Sequence, residues 1–400
     1  MFKHCLLMQI TVEEEMEYRE QVKKKGWLNF LRKETKKMNK WRDIKIKIAI
    51  CGEAGAGKST LINSIRGLRA DDDGAAKDGL VETTSERTMY SLPGNSNIEL
   101  WDLPGFGTSK FKDKDEYMKT VNWHEFETIL LISAKRFTEN DAWLARKILN
   151  SYPEQNLFFV RTQVDLDILN FKKSRRIRPS RNDIEHQLKI IREDSSEQLN
   201  KNGITQFTVF LIDSLDQDAF DFPNLVQNML AKANGLKKEA IVLSLSGFSK
   251  CIIDPKLRQL RNGINKYAIF SAIAAMFGNI SKNTIPEVEV MFRYARFCRE
   301  QLGLNDQNLE NLTKHLNKEL KTMLNIDNME SSLHCTSLEM FASFYMQQKK
   351  YVHGRFSFSS FREIIHYHKI CQLTLNAYLD ICARDLKTIQ SSIQQSLREN

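Results

Sequence analysis

Apolar residues in the first part of the chain form short continuous runs, separated by stretches with helical spacing. The first run, residues 44–51, has isoleucine at every even position from 44 to 50, which is typical of a strand. Similar runs occupy 98–102, 128–132, 157–160 and 208–212. Continuous apolar strands that alternate with helices predict a parallel sheet covered on both faces, and residues 87–92 could add an antiparallel edge strand.

The two ends of the chain have a different pattern, with helical spacing and no strand alternation. Residues 11–41 predict one or two helices, and beyond residue 237 leucine stripes such as 309, 312, 316 and 320 indicate helical core. We therefore expect three segments. Residues 1–42 form N-terminal helices that pack with a helical domain, 43–236 form an α/β domain, and 237–400 form the C-terminal helical domain.

Composition narrows the class of protein. The chain has 400 residues, of which 42% are hydrophobic and 27% charged, as in soluble globular chains. Its seven cysteines contain no C-x-x-C pair, which favours a reduced, cytoplasmic location. Despite a net charge of +9, no basic patch has interleaved aromatic residues, so we expect no nucleic-acid partner.

Membrane contact has no obvious signal in the sequence. Phe2 excludes N-myristoylation, which requires glycine after the initiator methionine, and the apolar stretch 267–280 is too short to span a bilayer. Peripheral association with intracellular membranes would need an amphipathic helix in 267–280 or 361–386, although burial in the helical domain fits both stretches better. The basic run 172–181 is most simply a solvated loop, with an acidic partner or lipid headgroup as the less favoured alternative.

The segment GEAGAGKS at 52–59 fits the P-loop pattern between a strand and a helix. Its glycines, at 52, 55 and 57, let backbone N–H groups turn toward phosphate oxygens. Lys58 would reach the β- and γ-phosphates, and the Ser59 hydroxyl would bind Mg²⁺. The alternative is a glycine-rich turn without a ligand.

Two further motifs indicate which nucleotide is bound. Asp102 and Gly105 form D-x-x-G at a strand end, where the carboxylate would hold Mg²⁺ and the glycine N–H would sense the γ-phosphate. Thr162-Gln163-Val164-Asp165 occupies the place of the guanine motif [NT]-K-x-D, with glutamine instead of lysine. The Asp165 carboxylate can accept two hydrogen bonds from guanine that adenine cannot donate, although in isolation a helix N-cap explains it equally well. Ser214, after the last strand, is a weaker candidate for a base contact.

These motifs together resemble a known family. GEAGAGKS at 52–59, NSIRG at 63–67, GAAKDG at 74–79, WDLPG at 101–105 and FVRTQVD at 159–165 are similar to the immunity-related GTPases, of the interferon-inducible p47 type with lysine in the P-loop. The resemblance implies an α/β P-loop GTPase domain, with a mostly parallel sheet and helices on both faces. It also implies an all-α helical domain built from N- and C-terminal segments.

The resemblance also implies a function. Such proteins are cytosolic GTPases that assemble through their G domains and coat the vacuoles of intracellular pathogens, so the expected partners are this chain itself or related GTPases, and intracellular membranes. Phe106 stands where small GTPases carry a water-orienting glutamine, so hydrolysis must use another group. Glu82 matches the catalytic switch glutamate of the family, although an exposed loop carboxylate would look the same. A nucleotide-dependent scaffold with little hydrolysis and a tissue role outside immunity is the alternative.

The resemblance completes the set of candidate site residues. Thr84 matches a switch threonine that binds Mg²⁺, although neighbouring Thr83 fits as well. The catalytic candidates are Glu82 and Lys58, and the metal ligands are Ser59, Thr84 and Asp102. Residues expected to bind GTP or GDP are Gly52, Gly55, Gly57, Lys58, Ser59, Thr60, Thr84, Asp102, Gly105, Thr162, Gln163, Asp165 and Ser214.

Overall fold

A computed structural model describes residues 12–77, 87–92, 95–106, 114–245, 249–277, 285–306, 308–310, 329–350 and 360–399. Its strands and most of its helices lie where the apolar patterns predict them. In chain order, the described elements are α1 (Val12–Lys25), α2 (Trp27–Met38), β1 (Ile46–Gly52), α3 (Lys58–Arg66), β2 (Thr88–Leu92), β3 (Asn95–Asp102), α4 (Lys114–Thr120), β4 (Thr128–Ser133), α5 (Glu139–Ser151), β5 (Asn156–Arg161), α6 (Val164–Lys173), α7 (Arg181–Lys201), β6 (Val209–Leu211), α8 (Phe222–Lys232), α9 (Gly235–Ser244), α10 (Lys250–Phe277), α11 (Pro286–Gln301), α12 (Glu330–Cys335), α13 (Leu338–Lys350) and α14 (Ser360–Glu399).

The sheet has six strands in the order β2-β3-β1-β4-β5-β6. All neighbouring pairs are parallel except β2 and β3, so the predicted antiparallel edge strand is confirmed. The strand order reverses beside β1, because its neighbours β3 and β4 both follow it in the chain. In open α/β sheets, a ligand binds beyond the carboxyl ends of the strands at such a point.

Both faces of the sheet are covered, which explains why its strands are continuously apolar. On one face, Ala49, Ile129 and Leu131 belong to a buried cluster that also contains residues of α5 and α6. On the other face, Ile48 and Leu130 line a small apolar cavity together with side chains of α8 and α9. The predicted fold class, an α/β P-loop domain joined to a helical domain, is confirmed.

The chain divides into two compact units, one formed by residues 41–252 and one by residues 1–40 together with 253–400. The helix α9 belongs to the first unit, because it packs on β3 and Ser244 donates a hydrogen bond to Asn97 at 3.0 Å. The sequence boundary at residue 236 assigned this helix to the helical domain instead. The three predicted segments, 1–42, 43–236 and 237–400, remain a proposal about domains.

In the helical unit, the N-terminal helices pack against α10. Tyr18, Phe30 and Phe270 form a mutual edge-to-face cluster, with ring centroids 5.4 to 5.8 Å apart. Aromatic rings prefer this arrangement, because the positive edge of one ring meets the negative face of another. Glu34, which is 1% exposed, lies 2.6 Å from the Lys37 ammonium and 4.0 Å from that of Lys266.

The two stretches considered for membrane contact are largely inside this unit. Residues 267–274 are all buried in α10, and most side chains of α14 between Ile370 and Leu386 are buried or half-buried. In the parts of the two stretches whose side chains the structure describes, most apolar residues therefore face the interior of the unit. Within the described ranges, no helix combines the length and the apolar character needed to cross a membrane.

Candidate functional site

The phosphate loop connects β1 to α3 at the carboxyl edge of the sheet. Gly55 and Gly57 have φ of 75° and 85°, in the left-handed region that favours glycine. At Gly52, an added Cβ would lie 2.1 Å from the carbonyl oxygen of Ile132, so the backbone approach of the two strands excludes any side chain. The loop therefore forms a cradle of backbone, as a polyphosphate requires.

Lys58 and Ser59 are the first two residues of α3, which begins where the loop ends. Lys58 is 7% exposed, and its ammonium donates to the carbonyl oxygens of Gly52 and Glu53 at 3.2 and 3.0 Å. These bonds fold the lysine over the loop, and a bound phosphate would be the competing acceptor. Thr60, the next candidate, is half-buried in the first turn of the same helix.

Ser59 and Asp102, both predicted as metal ligands, lie within hydrogen-bonding distance of each other. The Ser59 hydroxyl donates to Asp102 Oδ2 at 3.1 Å, and Asp102 is 1% exposed at the end of β3. Residues Ile50 and Asp102 are partners in the register of β1 and β3, which places this carboxylate beside the phosphate loop. A hydroxyl and a carboxylate are oxygen donors of the kind that Mg²⁺ prefers, so the residues present fit this ion.

Hydrogen bonds from Asn63 and Arg66 of α3 hold the loop at 74–77. In the sequence, these two residues stand out only as part of the motif at 63–67. Asn63 donates to the Ala76 carbonyl at 2.8 Å and accepts from the Ala76 N–H at 2.7 Å. Arg66 donates to the carbonyl oxygens of Gly74 at 2.7 Å and Ser91 at 3.0 Å. These bonds explain the polar residues at 63 and 66 on a helix whose other face is apolar. Glu82, Thr83 and Thr84 lie outside the described residues.

The position after Gly105 is filled by a core residue. Phe106 is 4% exposed and packs against the Tyr117 ring, with centroids 5.7 Å apart. The Tyr117 hydroxyl in turn donates to the Pro104 carbonyl at 3.1 Å. A buried phenyl ring offers no group that could orient water, so hydrolysis at this site requires a residue from elsewhere.

The guanine motif contacts the phosphate loop directly. The Thr162 hydroxyl donates to the Ala56 carbonyl at 2.7 Å, and the Gln163 amide donates to the Gly55 carbonyl at 3.2 Å. Gln163 has a φ of 56° and is the N-cap residue of α6. The alternative that Asp165 is the N-cap is therefore wrong, because the helix begins at Val164 and Asp165 lies within its first turn.

An ion pair that was not predicted holds this motif in place. Arg161, with 5% of its side chain exposed, lies 2.5 Å from Asp167 on α6 and also donates to the carbonyl oxygens of Ala134 and Thr162. Burial lowers the pKa of Arg161, and Asp167 opposes this shift. The arginine thus joins β5, the loop after β4 and the first turns of α6.

On the outer side of the motif, the base-binding candidates come from α6 and the loop after β6. Burial raises the pKa of Asp213, and the charge of Asp165 raises it further. Ser214 is 7% exposed, and its hydroxyl has no hydrogen-bond partner among the described residues. A buried hydroxyl without a partner fits a position that a ligand would satisfy.

A second unpredicted contact ties the phosphate loop to α5. The Thr138 hydroxyl lies 3.1 Å from Glu53 Oε1 and 3.0 Å from Asp141 Oδ2, so its single proton can serve only one of the two carboxylates at a time. Asp141 also caps α5 by accepting from the Thr138 N–H at 2.8 Å. Burial, assisted by the nearby Glu53 charge, raises the pKa of Asp141 to about 7.

Comparisons with known proteins agree with these observations. The sequence model described as Interferon-inducible GTPase (IIGP) matches residues 13–393. Interferon-gamma-inducible GTPase 10 of Mus musculus is 34% identical over 290 residues, which are 72% of this chain and 66% of that protein. T-cell-specific guanine nucleotide triphosphate-binding protein 2 of Mus musculus is 31% identical over 359 residues, which are 88% and 83% of the two chains. The match thus covers slightly less than two thirds of the first relative and more of the second.

Proposed function

Because the chain belongs to the interferon-inducible GTPase family, we propose that it hydrolyses GTP under the control of self-assembly. The assembly would form through the unit that carries the P-loop, either between copies of this chain or with related GTPases. We further propose that it acts at intracellular membranes in cell-autonomous immunity. Membership of the family supports GTP hydrolysis, and we propose GTP and GDP as its nucleotides and Mg²⁺ as its metal ion.

The hydrogen bond between Ser59, which follows the phosphate loop, and Asp102 at the end of β3 supports nucleotide hydrolysis most directly. Bound there, Mg²⁺ would neutralise charge that develops on the phosphates. The chain supplies the remaining parts itself: backbone N–H groups cradle the phosphates, Lys58 approaches them as a cation, and Asp165 accepts from the base. Each of these roles is a proposal for the residue named.

The burial of Phe106 supports control by assembly. A GTPase that lacks a water-orienting group after Gly105 can hydrolyse GTP efficiently only if another residue reaches the site. We assign this role to Glu82, which would position the attacking water or contact the nucleotide across a dimer. Hydrolysis would then be slow in the monomer and faster in the assembly, because a preorganised group would be present only in the latter.

Phosphate release measured against protein concentration tests this function. We expect turnover per subunit to rise with concentration, and Glu82→Ala to abolish the rise while leaving GDP binding unchanged. Phe106→Leu is a matched control, because it keeps an apolar core residue and should preserve the rise. Concentration-independent turnover would contradict control by assembly. GTP binding without turnover at any concentration would favour the nucleotide-dependent scaffold instead.

A further inference from the structure

The end of α6, the loop that follows it and the first residue of α7 carry a concentration of positive charge. Residues 172–181 contain six basic residues and no acidic one. All six basic side chains are exposed, namely Lys172, Lys173, Arg175, Arg176, Arg178 and Arg181. We refer to residues 172–181 as the basic loop.

Little of this charge is neutralised within the protein. Among the described residues, the ion pair formed by the basic loop is that of Arg181 with Glu185, at 3.0 Å. Asp183 forms a capping box with Ser180 at the start of α7. The hydrogen bonds from Ser180, with a smaller contribution from the charge of Arg175, lower the pKa of Asp183. Arg175 lies over the Phe171 ring, 5.0 Å from its centroid. The loop therefore presents its charge to solvent, where repulsion between neighbouring cations favours an anionic partner.

An apolar side chain stands in the middle of these cations. Ile177 is 84% exposed, which is the highest value among the exposed large hydrophobic side chains that the structure describes. Its neighbours on both sides, Arg176 and Arg178, are exposed as well. An isolated exposed isoleucine is ordinary on a protein surface. An exposed isoleucine flanked by exposed cations, however, matches the boundary between lipid headgroups and acyl chains.

A membrane fits this combination better than a nucleic acid does. Phosphodiesters would use the cations but would leave the aliphatic side chain in water, and the basic loop has no aromatic residue on which a base could stack. An anionic bilayer uses both features, because basic residues bind the headgroups and an apolar side chain enters between them. Of the two stretches considered for this role from the sequence, 267–280 and 361–386, the parts at 267–274 and 370–386 are largely buried.

We propose that the basic loop binds the surface of a membrane rich in anionic glycerophospholipid, with Ile177 inserted between the headgroups. The proposal rests on the membrane association included in the proposed function, but it does not depend on GTP hydrolysis. Each unpaired basic residue near such a surface strengthens binding about fivefold, so several together give a reversible association that weakens as salt rises.

Flotation of the 400-residue chain with lipid vesicles tests whether the basic residues drive membrane binding. We expect binding to vesicles of phosphatidylcholine with phosphatidylserine and little binding to phosphatidylcholine alone. The triple variant Arg175→Glu, Arg176→Glu and Arg178→Glu should reduce the partition coefficient by about 100-fold or more. Equal binding to both kinds of vesicle would overturn the proposal.

A matched variant separates the basic loop from net charge. Lys119→Glu, Arg146→Glu and Lys232→Glu change the same number of charges at exposed positions elsewhere in the unit 41–252. This variant should keep most of the binding, because its cations are scattered. Equal losses in both triple variants would contradict a specific site. Duplex DNA binding that depends on the basic loop, in a chain that does not float with vesicles, would identify nucleic acid as the partner instead.

The apolar contact is tested separately with Ile177→Ser. We expect this variant to lose about fivefold in partition coefficient, because part of the transfer free energy of an isoleucine is lost. Ile190→Ser is the control, since Ile190 is 43% exposed on α7 outside the basic loop. An equal or absent effect in the two variants would show that Ile177 does not insert. Phosphate release from the same samples distinguishes loss of membrane binding from loss of the GTPase.

Discussion

Lys256 is a cationic side chain in the interior of the helical unit, and its replacement gives a sharp prediction about stability. The residue is 7% exposed on α10, and its ammonium donates to the Gln301 carbonyl at 2.6 Å. Burial alone lowers its pKa from 10.5 to about 7. We predict that Lys256→Met stabilises the protein at neutral pH, because it removes this buried amine and keeps a flexible chain of similar length.

The magnitude follows from the displaced pKa. Burial of the charged amine costs about 1.4 kcal/mol of folding stability for each unit by which the pKa falls, which amounts to about 5 kcal/mol below pH 7. Since the folded-state pKa lies below the unfolded value, the unfolded state binds more protons between pH 7 and 10.5, and the penalty disappears progressively as pH rises through this window. Loss of the hydrogen bond to Gln301 offsets about 1 to 3 kcal/mol.

We therefore expect Lys256→Met to raise the free energy of unfolding by about 3 kcal/mol at pH 7 and to change it little at pH 9. Denaturant unfolding followed by circular dichroism at both pH values measures the two differences. Lys387→Met, at an exposed position of α14, is the control and should show no such pH dependence. A change of equal size at pH 7 and pH 9 would refute the titration argument, and destabilisation at pH 7 would refute the penalty itself.

Three further substitutions examine the candidate site. Asn63→Ala removes both bonds to Ala76 and should speed hydrogen exchange in 74–77 and release of bound GDP by about 10-fold. Asp141→Asn removes a carboxyl whose pKa is raised from 3.8 to about 7. Because the folded state binds more protons than the unfolded state in this range, wild type loses stability as pH rises from 3.8 to about 7, and the variant should not. Arg161→Gln should lower the preference for GTP over ITP, which lacks the 2-amino group, by about 10-fold in competition binding.

Each of these predictions has an outcome that would contradict it. Unchanged exchange in Asn63→Ala would show that the loop at 74–77 is held by other contacts. Parallel pH profiles of wild type and Asp141→Asn would exclude a titration of Asp141 in this range. An equal loss of GTP and ITP binding in Arg161→Gln would indicate general damage to the fold, with no selective displacement of Asp165.

Local pattern was sufficient to predict the sheet and to identify residues that the structure brings together at the carboxyl edge of the sheet. Strands near residues 46, 98, 128, 157 and 209 were predictable because a doubly covered sheet requires continuous apolar runs. The P-loop and Asp102 were predictable because their spacing is set by the strand ends on which they sit. The packing of α9 on β3 was not predicted, because an apolar stripe looks the same whether a helix packs on a sheet or on other helices.

The contacts that tie the site together could not be predicted, because they join residues distant in the chain. Thr162 and Ala56 are 106 positions apart, and Thr138 and Glu53 are 85 positions apart. Arg161 carried only a weak signal as a cation at the end of an apolar strand, where burial demands a partner. A search for such interrupted strands would have found it, although Asp167 would not have been identified as its partner.

Gln163 shows how a departure from a motif can be understood from these contacts. A lysine at this position would lay an aliphatic stem over the base, whereas the shorter glutamine donates to Gly55 and remains beside the phosphate loop. Glutamine at position 163 therefore keeps a hydrogen bond between the two loops but would cover less of a bound base than lysine. Under the proposed role of Asp165, selectivity for guanine would rest on this carboxylate and on the contacts that hold its loop. These are the bond of Thr162 to the phosphate loop and the ion pair of Arg161 with Asp167.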